Sequence, residues 1–345
     1  MDLTRNRVLV RQSNQEGESA MQAWKRGAAV AVSMVGVVLG LATSLGSGDN
    51  GEAVMLAGEA ANWAVPSGSY SDPGPTEGGT LEIRGVGTFR YEFAGMAASR
   101  PDLFAEGRFS AFDALAQVAA RGEVDLEYAY DEDQATYVVQ SINGLDGWWY
   151  DVRLPGGTLE RTALRMDSYP VKDDALVYLY IEDPSRLAAI QTSFRNEVAR
   201  RTSGAGQVVV PTVTIKGPRS AVTFRDVLVT SHGVRPDVFR AGAITALDVL
   251  LSLGEQGLID GLELTWHAML DGTMVNHYMV DWISLPDVLG EKDASCGYMD
   301  EAATEGLRGF LTPHSHATTE IHLSSDLEIL VAPEYVEWQW LCAAS

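Results

Sequence analysis

The feature that most limits the fold is an internal repeat. Arg100-Pro101-Asp102-Leu103-Phe104, followed by Ser110-Ala111-Phe112-Asp113-Ala114-Leu115, returns 135 positions later as Arg235-Pro236-Asp237-Val238-Phe239 and Thr245-Ala246-Leu247-Asp248-Val249-Leu250. Thr88-Phe89-Arg90 recurs at the same offset as Thr223-Phe224-Arg225, and Gly107 as Gly242. A spacing shared over this length means two copies of one domain. In each copy Ser110 or Thr245 stands at a helix N-cap, and Asp113 or Asp248 follows three residues on, where its carboxylate reaches back to free backbone N–H groups. Phe112, Leu115 and Val118 in the first copy, and Leu247, Leu250, Leu251 and Leu253 in the second, recur at helical spacing and predict one buried face. Gly122 and Gly254 are the expected helix stops. The Arg-Pro-Asp-x-Phe segment reads as extended or turn because proline restricts its predecessor, and its expected role is packing.

At 345 residues and 46% hydrophobic content, the chain allows two domains with cores of their own. Lys25 and Arg26 precede an uncharged run, Gly27 to Leu45, with Ala42, Ser44 and Ser47 as small residues for cleavage. That pattern, within residues 1–46, predicts an export signal with Met21 as an alternative start, or else an uncleaved anchor over 27–45. The expected location is extracytoplasmic, in a periplasm or on a cell surface. Residues 47–80, rich in Gly, Ser, Pro and acids, read as a flexible linker. The domains expected after it are 81–183, a connecting helix and linker at 184–210, and a second domain at 211–345. A formal charge of −22 argues against a nucleic-acid partner and against docking on an anionic lipid surface.

Within the first domain, alternation predicts strands at Leu81–Arg84, Thr88–Phe93, Val124–Tyr130, Tyr137–Ile142, Trp148–Val152 and Ala175–Ile181. Pro184 to Arg201 reads as a helix capped by Asp183, with an apolar stripe of Leu187, Ile190, Phe194 and Val198 assigned to the interdomain contact. The second domain repeats the order. It is expected to carry an insertion of roughly 25 residues after Ser284, holding Cys296 and the histidines at 314, 316 and 322. Its last strand is expected to place Val336, Trp338 and Trp340 where the first domain has Leu176, Tyr178 and Tyr180.

The first copy resembles the β-grasp domain at the C-terminus of transcobalamin and in bacterial surface proteins. The residues carrying the resemblance are Ser110-Ala111-Phe112-Asp113-Ala114-Leu115, Ser141-Ile142-Asn143-Gly144, Gly147-Trp148-Trp149-Tyr150 and Val171-Lys172-Asp173-Asp174-Ala175-Leu176-Val177-Tyr178-Leu179-Tyr180. It covers most of Leu81 to Ile181, and reaches the second copy through its likeness to the first. Arg153-Leu154-Pro155 and Asp173-Asp174-Ala175 depart from the family pattern. The resemblance implies an α+β fold of two tandem β-grasp-like domains, each a mixed sheet with one capped helix. It also implies a corrinoid as one ligand to consider.

The nearest thing to a metal site is His314-Ser315-His316 with Glu320 and His322, whose spacing of two on a strand would aim side chains at zinc or copper; a solvated polar loop is the alternative. No Gly-x-Ser-x-Gly elbow, phosphate loop, dinucleotide fingerprint, His-Glu-x-x-His or haem-attachment motif occurs, so no enzymatic activity is expected. Cys296 and Cys342 are the only cysteines and predict one disulfide. Asn143, Trp148, Trp149 and Tyr150 are the expected ligand contacts: Trp148 and Tyr150 share one face of a strand and Trp149 takes the other. Three classes stay open: a noncatalytic binding or scaffold protein taking a small molecule or protein partner, a metal-binding or redox accessory subunit, and a purely structural surface or complex subunit.

Overall fold

The computed structural model describes residues 9–12, 52–57, 63, 65, 72–157, 159–270, 273–285, 296–307 and 324–342. Strands β1 (Leu9–Gln12) and β2 (Glu52–Ala57) precede the first copy. That copy runs β3 (Gly79–Ile83), β4 (Gly87–Tyr91), α1 (Ala111–Ala120), β5 (Leu126–Asp131), β6 (Thr136–Ile142), β7 (Trp148–Arg153) and β8 (Leu176–Ile181). Helix α2 (Pro184–Ser203) leads to the second copy: β9 (Val208–Lys216), β10 (Ala221–Val229), α3 (Ala246–Glu255), β11 (Gly261–Leu270), β12 (Thr273–Ser284), β13 (Cys296–Ala303) and β14 (Tyr335–Cys342). The fold is mixed α+β. Copy one forms the sheet β4-β3-β8-β7 with β5–β6 as a separate hairpin; copy two forms β10-β9-β14-β13 and continues through β12 and β11 to β2 and β1. In both copies the first and last strands of the domain, β3 with β8 and β9 with β14, are parallel neighbours.

The capped helices follow the local chemistry of the repeat. The Ser110 N–H and Oγ donate to Asp113 Oδ2 at 2.7 and 2.8 Å, and the Thr245 N–H and Oγ1 donate to Asp248 Oδ2 at 2.6 and 2.9 Å. Gly122, at φ +74°, follows the end of α1. Gly254 does not stop α3. It lies inside the helix, where a Cβ would stand 2.1 Å from the Trp63 ring, and the left-handed residue that ends α3 is Gly257 at φ +67°. The stop glycines therefore keep the repeat offset, and Gly254 serves a close approach.

The last strands correct a one-residue slip. Leu81 pairs with Phe89 and Val177, and Val213 pairs with Phe224 and Val336, so Val177, Leu179 and Ile181 are the counterparts of Val336, Trp338 and Trp340. Val177 and Leu179 enter the core, while Tyr178 and Tyr180 take the opposite face. A strand has period two, so a slip of one exchanges its faces.

The expected insertion is also corrected. Cys296 opens β13, the counterpart of β7, and sits opposite Cys342, to which it is disulfide-bonded. The offset between copies grows from 135 at Asp113 and Asp248 to 150 at Trp148 and Tyr298, then to 159 at Asp167 and Asp326. The extra length is thus spread over the longer β11–β12 hairpin, the β12–β13 connection and the chain after β13. His314, His316 and His322 lie outside the described residues, as does the apolar run 27–45. No helix among the described residues is long and apolar enough to cross a membrane.

The two copies meet through the motif that defines them. The Ala105 N–H donates to Val238 O at 2.9 Å and the Arg240 N–H to Leu103 O at 2.8 Å, which pairs the two Arg-Pro-Asp-x-Phe segments antiparallel. Phe104 and Phe239 meet at the centre, ring centroids 5.5 Å apart. Each arginine forks between its own motif and a buried aspartate. Arg100 holds Asp102 at 2.8 Å and Asp167 at 3.1 Å; Arg235 holds Asp237 and Asp326, both at 2.8 Å. Paired, hydrogen-bonded charges of this kind are what a buried arginine requires.

The described residues within 47–80 do more than link. β2 adds antiparallel to β11, from Gly261 opposite Ala57 to Trp266 opposite Glu52. Leu56, Trp63 and Val65 are buried in the core of copy two. Asp72 accepts from Arg108 at 3.2 Å beside the seam, and the carboxylate of Asp173 accepts the N–H groups of Thr76, Glu77 and Gly78. The short apolar stretch Ala53–Ala57 folds because a strand of the second copy offers it an open edge.

Candidate functional site

A cavity of about 260 Å³ opens in copy one between β6, β7 and α2. Trp148, Trp149 and Tyr150 line it together with Tyr137, Leu187 and Phe194. Trp148 and Tyr150 point to the core side, 5% and 1% exposed. Trp149 takes the other face and lies under α2, its ring centroid 6.2 Å from that of Phe194. The alternation of the strand therefore splits the three aromatics between core and covering helix. Asn143 is not among the lining residues. At φ +52° it shapes the turn after β6, donating its N–H to Asp125 O at 2.7 Å and accepting the Asp125 N–H on Oδ1 at 2.8 Å.

The polar atoms of the three aromatics are spent on backbone. Trp148 Nε1 donates to Leu145 O at 2.7 Å, Trp149 Nε1 to Thr162 O at 3.0 Å and the Tyr150 hydroxyl to Leu164 O at 2.9 Å. Their N–H and O–H groups are thus not offered to the cavity, whose lining also includes Gln134, Thr136, Gln140, Asp146 and Gln191. Apolar walls with a few polar groups are the usual make-up of a small-molecule site.

Two arginine clasps hold α2 over the cavity. Arg186 is bonded to the Glu182 carboxylate and donates to Thr162 O at 2.9 Å. Arg165 donates to Gln134 O at 2.9 Å, to Glu197 at 2.7 Å and to Phe194 O at 3.3 Å, linking the start of β6 to the helix. Beneath the first clasp, burial pushes the Asp151 carboxyl up to about 6, and the Tyr180 hydroxyl bonds it at 3.1 Å. Leu187 and Phe194, expected only at the interdomain contact, line the cavity, and so does Gln191, which the apolar stripe does not include. The helix does both: Ile190 and Phe194 also pack against Ala303, Leu307 and Tyr335 of copy two.

Copy two has closed the equivalent gap. Tyr298, in the place of Trp148, bridges to Val280 of β12 and joins β13 to β12, whereas β6 and β7 end separate sheets. Behind β13 the chemistry changes as well. Where copy one packs Tyr150 against Tyr169 with centroids 6.1 Å apart, copy two has Asp300 and Glu328, 7% and 9% exposed. Burial pushes Asp300 up to about 7; burial and the facing carboxylates of Asp300, Glu160 and Glu301 hold Glu328 well above the usual carboxylate range.

Among the described residues no group of three or more His, Cys, Asp or Glu side chains is arranged to hold a metal ion. Comparison of the chain with protein-family models, with curated proteins and with solved structures returns no match.

Proposed function

We propose that this chain is an exported, noncatalytic binding or scaffold protein built from two tandem β-grasp-like domains, and that copy one holds a small, flat, largely apolar ligand. The observation that carries the reading is the cavity of about 260 Å³ whose walls include Trp148, Trp149 and Tyr150. Its volume lies just under the range of sites for drug-sized ligands, so the fit is to one or two fused rings rather than to an enclosed corrin macrocycle. Stacking on the rings supplies affinity, and Gln140 and Gln191 of the lining supply orientation. The β-grasp reading draws support from the order hairpin, capped helix, then a last strand parallel to the first, present in both copies. Export draws support from the disulfide, which suits an oxidising compartment.

The test is calorimetric titration of the full chain with indole. One site per chain is expected, and Leu187→Trp, which fills the cavity from α2, should abolish binding with the unfolding midpoint retained. An absence of heat with indole, or equal binding to a folded Leu187→Trp variant, would overturn the proposal.

A further inference from the structure

We infer that the outer edge of β5 is a docking edge for an extended, basic segment of a protein partner, which joins the hairpin as an added strand beside Tyr128 and Tyr130. The first ground is the second copy. Gly261–Trp266, the six residues of β11 that pair with β2, stand 135 positions after Leu126–Asp131, which is the whole of β5. In copy two, therefore, an extended segment already occupies this edge. In copy one β5 ends its two-stranded sheet and no described strand pairs with its outer side. Edge strands are commonly protected by charged side chains, above all Lys, by Pro, by a bulge or by a covering element. β5 has no Lys or Pro; its charges, Glu127 and Asp131, repel acidic partners and admit basic ones, and its one register shift, at Glu127 and Tyr128, leaves Tyr128–Asp131 regular.

The second ground is the side chains at that edge. Tyr128 and Tyr130 are 47% and 44% exposed, and they are the only aromatics in that exposed class among the described residues. They are held in place. Tyr137 stacks on Phe112 at 4.9 Å, Tyr128 sets its edge against Phe112 at 5.1 Å, and Tyr130 sets its edge against Tyr137 at 5.2 Å. A preformed aromatic surface loses little freedom when a partner covers it.

The third ground is charge. Glu123, Asp125, Glu127, Asp131, Glu132 and Asp133 carry six carboxylates, and no Lys or Arg occurs between Gly122 and Asn143. A second copy of this chain, itself at −22, is the wrong partner for such an edge; a segment rich in Arg or Lys is the right one. The Arg100 guanidinium, 6.0 Å from the Tyr130 centroid, shows the kind of contact the ring accepts. Strand addition would align alternate basic side chains with the tyrosines while the backbone fills the open ladder.

The probe is an alternating Arg/Val heptapeptide, compared with the same peptide N-methylated at alternate backbone nitrogens and with its Glu/Val counterpart. Binding to the full chain is read by fluorescence anisotropy, and its location by hydrogen exchange. The Arg/Val peptide should bind, weaken with salt, and slow exchange in residues 126–131. N-methylation should lower affinity about tenfold or more, as should Tyr128→Ala combined with Tyr130→Ala. No binding, equal affinity for the N-methylated peptide, or protection confined to another segment would overturn the inference. The N-methylated control needs no altered protein, so it decides even if the tyrosine variant misfolds.

Discussion

Replacing Asp300 by Asn should make the protein more stable at neutral pH and remove part of its pH dependence. Burial, with the carboxylates of Asp326 and Glu301 nearby, pushes the Asp300 carboxyl up to about 7 in the folded chain, against about 4 for an exposed aspartate. A carboxyl whose folded pKa is raised binds more protons in the native state than in the unfolded chain. Its full contribution is therefore present below about pH 4 and is lost as pH rises to about 7. The rise from about 4 to about 7 corresponds to about 4 kcal/mol, the most this group can withdraw from stability between those limits. The amide of the Asp300→Asn variant would keep the shape, carry no charge at any pH and donate to Glu328. Urea unfolding followed by tryptophan fluorescence at pH 4.5 and pH 7.5 measures the effect. Asp300→Asn should lower stability slightly or leave it unchanged at the acid value and raise it at the neutral one, by up to about 4 kcal/mol. An unfolding midpoint at pH 7.5 equal to or below that of the native chain, with the same difference between the two pH values, would refute the reasoning.

Two further outcomes follow from packing and covalent structure. Thiol titration of the denatured, unreduced protein should find none free, and reduction should cost about 4 kcal/mol, because Cys296 and Cys342 close a loop with a sequence separation of 46; two titratable thiols would contradict this. Gly254→Ala should destabilise by about 1–3 kcal/mol, since its methyl would stand 2.1 Å from the Trp63 ring. An alanine in a free helix would instead add about 1 kcal/mol, so a higher melting temperature would show that Trp63 does not pack there.

The parts of this fold that were legible in the sequence are those decided within a few residues. Ser110 with Asp113, and Thr245 with Asp248, announce their helices because the cap and its carboxylate lie three positions apart. The disulfide was legible for a different reason, since two cysteines allow one pairing. What could not be read depends on residues far apart in sequence. β2 is a short apolar run among polar neighbours, and the strand it joins, β11, lies some two hundred positions away. The stop at Gly257 was visible in the repeat offset, yet Gly254 came first along the chain and nothing local tells a helix stop from a seat for Trp63. At the candidate site, the cluster Trp148–Tyr150 was visible as composition and the cavity was not, because its roof is Leu187, Gln191 and Phe194 of a helix that the sequence assigns only to the junction.

The meeting of Phe104 with Phe239 has a consequence for assembly. Equivalent residues touching across an antiparallel pair is the geometry of an isologous dimer, in which one patch is its own complement. Here both halves are tethered on one chain, so each patch meets its mate at an effective concentration in the millimolar range whatever the dilution of the protein. The seam is therefore closed from within each molecule, independently of expression level, and neither patch is left to recruit a second chain.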